Sequence, residues 1–182
     1  MGFSNLFIVH VTESGAMVGA AENQSTLRTV GVYIDKKGAI TSFEHPDSAG
    51  FVQPRGMNSK GQIVGFYEDS ATGAFNGFSY DSKKGEFITV VPSQFTIAQG
   101  VNSQGQIVGS ATFSLENNPC PAGAFDEEFD RLGWVRNPDG VVIYFKVNDG
   151  LTSARGIAEN GTIIMKFFLH LSKDEQKARL LR

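Results

Sequence analysis

The chain has 182 residues, enough for one domain with a real core or for a short run of repeated units. Its 21 glycines, 15 phenylalanines and 19% charged residues fit a turn-rich β protein better than a helical one. A formal charge of −3 supplies no basic field and so argues against nucleic acid as a partner, and the single cysteine, Cys120, excludes an intramolecular disulfide framework and a cysteine-rich zinc site.

Taken from the N-terminus, Met1 to His10 lacks the basic start and small-residue cleavage site of a secretory signal. Gly2 does not make a myristoylation motif, because Leu6 stands where Ser or Thr is required. No stretch reaches the roughly 18 to 20 apolar residues that a membrane-crossing helix needs. The first recognisable phrase is Val11-Thr-Glu-Ser-Gly15-Ala-Met-Val-Gly19. It returns as Met57-Asn-Ser-Lys-Gly61-Gln-Ile-Val-Gly65, as Val101-Asn-Ser-Gln-Gly105-Gln-Ile-Val-Gly109 and as Ile157-Ala-Glu-Asn-Gly161-Thr-Ile-Ile-Met165. The central glycines are 46, 44 and 56 residues apart. A spacing of about 45 residues places the chain among repeat architectures, with units of about 3–48, 49–93, 94–150 and an incomplete 151–182 in a single domain.

Each unit carries a second turn. Gly31-Val-Tyr-Ile-Asp35-Lys-Lys-Gly38 corresponds to Gly77-Phe-Ser-Tyr-Asp81-Ser-Lys-Lys-Gly85 and to Gly133-Trp-Val-Arg-Asn137-Pro-Asp-Gly140. An Asn or Asp that folds back on its own backbone, followed by a glycine that accepts positive φ, is hairpin chemistry. Between turns the apolar runs are too short for helices, so four strands per unit are predicted. In the second unit these are Gly50 to Met57, Gln62 to Tyr67, Gly77 to Tyr80 and Glu86 to Val91. Pro46 and Pro92 sit at junctions between units, and Gly56, Gly100 and Gly156 mark a bulge or a close backbone approach. Tyr33, Phe78, Tyr80, Phe95, Trp134 and Tyr144 lie on strands and are expected in the core.

The phrases Gly56-Met-Asn-Ser-Lys-Gly-Gln-Ile-Val-Gly65 and Gly100-Val-Asn-Ser-Gln-Gly-Gln-Ile-Val-Gly109 resemble the signature of bacterial HAF-family extracellular repeats. Asn76-Gly-Phe-Ser-Tyr80 is similar to the element that follows it there, with Asn76 in place of a histidine. The resemblance runs from about Val11 to Ile164, strongest in the second and third copies. It implies a propeller-like all-β arrangement in a secreted or surface-associated bacterial protein, with no common activity.

A four-stranded unit of about 45 residues suits one propeller blade. The expected fold is therefore an all-β, propeller-like array of about three and a half such repeats, with a β-trefoil-like single domain as the alternative. The half unit leaves three ways to close: the first strand completes the last blade, two chains meet at their open ends in self-association, or the array continues in a longer chain. Ser172 and Glu175 have capping-box spacing, so a short C-terminal helix is predicted up to Arg182.

The third unit holds one insertion, Phe113 to Asp130, and long loops on a regular scaffold carry function. Its acids Glu116, Asp126, Glu127, Glu128 and Asp130 form the candidate binding set, suited to a cation or to sugar hydroxyls. Glu68, Asp69, Asp126 and Glu128 are the candidates for a paired-carboxylate glycosidase, without a spacing that fixes their separation. Asp35 and Asp81 are explained by turn chemistry, and His10, His45 and His170 have no metal-ligand spacing. No catalytic residues, cofactor or metal are assigned. The sequence therefore points to a non-enzymatic binding or interaction scaffold for a protein or glycan, with a carbohydrate-active hydrolase or lyase using the insertion as the alternative.

Overall fold

The computed structural model describes residues 2–91, 93, 95–114, 129–146 and 152–166. All described elements are strands, so no helix there is long and apolar enough to cross a membrane. The predicted helix from Ser172 lies outside the described residues. No described sheet closes into a barrel, the feature a trefoil would require.

The strands form antiparallel meanders in chain order. The first contains β1 (Phe3–Val11), β2 (Met17–Asn23), β3 (Arg28–Ile34) and β4 (Ile40–Phe43). The second contains β5 (Ser48–Met57), β6 (Gln62–Asp69), β7 (Phe75–Asp81) and β8 (Glu86–Thr89). The third contains β9 (Phe95–Val101), β10 (Ile107–Ser114), β11 (Phe129–Arg136) and β12 (Val142–Phe145). A final hairpin joins β13 (Ser153–Ile157) to β14 (Ile163–Lys166). These are units A to D below. A single parallel bridge, Thr29 opposite Phe51, connects the ladders of A and B.

The strands predicted for the second unit are present with shifted ends. β8 stops at Thr89, because Val90 and Val91 leave the strand to become buried core while the Val90 N–H donates to the Gly77 carbonyl at 3.2 Å. The four phrases span the turn from the first to the second strand of each unit. Gly15, Gly61, Gly105 and Gly161 adopt φ of 84°, 87°, 84° and 84°, a region that favours glycine. In each turn the N–H of the first residue donates to the carbonyl four residues on, as from Asn58 to Gln62 at 3.0 Å.

The first strand of every unit has a register shift at the same place. It leaves Val9, Arg55, Gln99 and Arg155 as the extra residue. In units A to C the phrase ends in a glycine where a Cβ would overlap a carbonyl oxygen, Gly19 against Phe7, Gly65 against Gln53 and Gly109 against Ile97, whereas D has Met165 at that position beside the same bulge. The bulge also brings units together. A Cβ on Gly56 would lie 3.2 Å from the Gln99 oxygen, and one on Gly100 would lie 3.0 Å from the Gly156 Cα. Both expectations for these glycines, bulge and close approach, hold at the junctions from B to C and from C to D.

The core lies between successive sheets. Ala16, Val18 and Phe43 of A pack with Val52, Met57, Ile63 and Phe78 of B. Val64 of B packs with Ala98, Val101, Ile107 and Trp134 of C, and Val108 of C packs with Ala154 of D. Each fully buried aliphatic or aromatic side chain contributes about 1.5–3 kcal/mol, so these junctions supply most of the cohesion that ladders alone lack. The aromatic expectation holds: Phe78, Tyr80 and Trp134 are buried, and Tyr33, Phe95 and Tyr144 are half-buried.

Candidate functional site

The recurring asparagine does two jobs. Asn58 Oδ1 accepts from the N–H groups of Lys60 and Gln62, both at 3.0 Å, which fixes its own turn. Its amide then donates at 2.8 Å to the Asn102 carbonyl of the next unit, in a buried position. Asn102 repeats this, donating at 3.3 Å to the Ala158 carbonyl. Gln62 and Gln106 buttress the amides at 3.1 and 2.9 Å and reach Ser79 of β7 and Asn137 in the turn after β11. Asn58 and Asn102 thus latch B to C and C to D.

At the junction of A and B the latch is missing. Thr12 stands at the asparagine position, and its hydroxyl donates to its own turn, to the Ala16 carbonyl at 3.1 Å. His10 stands where the other units have Gly56, Gly100 and Gly156. Between A and B lies a concavity of about 420 Å³ bordered by Thr12, Ser14, Tyr33, Lys37, Asn58 and Lys83.

A second concavity, of about 590 Å³, is lined by all four phrases. Their first positions, Val11, Met57, Val101 and Ile157, give it apolar lining. Their third positions, Glu13, Ser59, Ser103 and Glu159, give it polar lining. One turn geometry, used four times, therefore brings two carboxylates and two hydroxyls to one surface. The Glu159 carboxylate accepts from the Ser103 hydroxyl and from its N–H at 3.0 and 3.2 Å, and these bonds hold its pKa below the ordinary carboxylate value. Gln104 Nε2 donates to the Glu159 carbonyl at 2.9 Å. His10 also borders this space, and burial lowers its pKa, so the ring is neutral at pH 7.

The sequence-predicted acids fall elsewhere. Glu116, Asp126, Glu127 and Glu128 lie outside the described residues, as do Cys120 and His170. Asp130 belongs to β11, its backbone paired with Phe113 of β10, so both ends assigned to the insertion are strand. Asp69 Oδ1 is occupied by the N–H groups of Ala71 and Thr72 and by the Thr72 hydroxyl, and Glu68 stands opposite Phe75 in the ladder. Asp35 accepts from Lys37 and Ala39, and Asp81 from Lys83 and Lys84, as turn chemistry requires. His45 is buried, stacked on Tyr67 with ring centres 3.7 Å apart. Among the described residues no three His, Cys, Asp or Glu side chains gather as a metal site would need.

Convergence of the third positions is the feature that sequence reasoning missed. Its one signal was their variation, Glu, Ser, Ser and Glu, inside an otherwise recurrent phrase. Compared with protein-family models the chain matches none, and compared with curated proteins it matches none.

Proposed function

We propose that this protein is a non-enzymatic binding scaffold that takes a protein or glycan ligand at the concavity where its four turns converge. The observation that carries this reading is the division of labour within the phrase. Its asparagines and glycines are committed to turns and junctions, while its third positions vary and line one open surface. Variable side chains on a fixed frame suit recognition. Apolar lining beside hydroxyls and two carboxylates suits a ligand with both an apolar face and polar edges, as sugars and peptides have.

The same reading includes a propeller-like arrangement with each meander as a blade, supported by face-to-face packing of successive sheets about their first strands. Membership of the HAF-type repeats is part of the proposal and rests on the quoted phrases. The test is binding to a glycan array and to a peptide library, with Glu13→Lys and Ser59→Tyr as the site variants. The expected result is a ligand whose affinity falls at least tenfold in both variants. Hits indifferent to both, or turnover of a glycan or ester that is lost on replacing Asp126 or Glu128, would overturn it.

A further inference from the structure

The three internal junctions share one pattern. The eighth position of each phrase points forward into the next unit: Val18, Val64 and Val108 are each 0% exposed. The next unit receives it on its first strand, at Val52 and Met57 in B, at Ala98 and Val101 in C, and at Ala154 and Ile157 in D. Val52, Ala98 and Ala154 are buried, as are Met57 and Val101.

Among the described residues, units A and D hold the two unmatched halves of that pattern. In D the forward position is Ile164, and it is 59% exposed. In A the receiving positions are Ile8 and Val11, 38% and 57% exposed. Gly156 carries the same message. Gly56 and Gly100 have no room for a Cβ because the next unit's backbone lies against them, whereas a Cβ on Gly156 would meet, among the described residues, only the Ile164 side chain at 3.6 Å. The open part of A also has the right width. Val30, Val32 and Ile34 of β3 are already buried, so what remains exposed is the strip along β1, which a two-stranded sheet such as D can cover.

We propose that the β13–β14 face of one chain docks on the β1 face of a second copy, with Ile164 seated between the partner's Ile8 and Val11, and that two such junctions close a two-fold symmetric dimer. The occupant is a second copy because the exposed faces continue an interface that the chain already forms three times, with apolar residues at the equivalent forward and receiving positions. Two chains present two forward and two backward ends, so the pair closes with none left over, whereas an open series would leave apolar ends at every length.

The experiment is light scattering and sedimentation of the 182-residue chain across a concentration series, with Val11→Glu, Ile164→Glu and Gly156→Ala. A solution mass of twice the 19.7 kDa chain is expected. Either charge variant should raise the dissociation constant at least a hundredfold. Their mixture should recover one junction and so give a heterodimer weaker than the native pair. Gly156→Ala should weaken the dimer with the monomer's melting temperature and Trp134 fluorescence unchanged, which separates a lost contact from a lost fold. A monomer at all concentrations, a dimer indifferent to all three changes, or a continuous ladder of larger species would overturn the proposal.

Discussion

The Asn58 amide shows how one side chain can hold both local and long-range structure. Its oxygen closes the turn and its nitrogen reaches the next unit, so Asn58→Asp keeps the first function and removes the second. We expect a loss of about 1–3 kcal/mol in denaturant unfolding, the cost of a buried acceptor left unpaired. A similar loss is expected for Asn102→Asp, while Thr12, which latches nothing, should tolerate replacement by Ser. His45 is the residue that makes stability depend on pH. Burial lowers its pKa, opposed by the charges of Asp47 and Asp69, and its Nδ1 accepts the Asp47 N–H at 3.2 Å, which requires an unprotonated nitrogen. A depressed histidine pKa contributes stability that is complete above about pH 6.5 and is lost as pH falls toward the folded-state value. His10 is shifted in the same direction. Melting temperatures measured from pH 7.5 to 5.5 should therefore decline, and His45→Phe, which keeps an aromatic ring against Tyr67, should flatten the decline. A rise in stability on acidification would contradict this account.

At the scale of elements, most of the architecture was legible. The Asn-x-x-Gly turns, the strands on either side and the aspartate turns follow from local chemistry, and local chemistry is visible in a single sequence. Strand ends were less so, because β6 is carried to Asp69 by pairing with Phe75 and Ser48 within its sheet, while β8 stops at Thr89 where Val90 and Val91 turn into the core. The glycines before Met57, Val101 and Ile157 signalled a bulge or a close approach, and the stacking of units makes Gly56 and Gly100 both. That stacking gives a sharp comparison. Gly100→Ala sets a Cβ 3.0 Å from the Gly156 Cα and 3.4 Å from the Ile157 nitrogen, backbone atoms that cannot step aside, and should cost about 1–3 kcal/mol by thermal or chemical unfolding. The candidate site was illegible for a related reason. Residues about 45 positions apart meet there through the fold alone, while the acids of the insertion drew attention by composition.

At the scale of the whole molecule, order is serial. Each unit packs against its neighbours in the chain, and unit A is joined to B without the asparagine latch or the glycine contact found at the later junctions. Stability in such arrays is a sum of units and nearest-neighbour junctions, so unit A, with one neighbour, should open before unit C, which has two. Amide hydrogen exchange should show faster opening for β1 to β4 than for β9 to β11, where Ile107, Leu132 and Trp134 are fully buried. Equal protection across all the sheets would count against a serial molecule.

The lone parallel bridge between Thr29 and Phe51 has a mechanical meaning. Within each meander, strands are stitched edge to edge by ladders. Across the A–B seam the main chain offers one stitch and the peptide link itself. Tension applied between residue 2 and residue 166 would bear first on packed side chains at the seams between units, so the molecule would yield as sheets peeled from a stack before any ladder unzips.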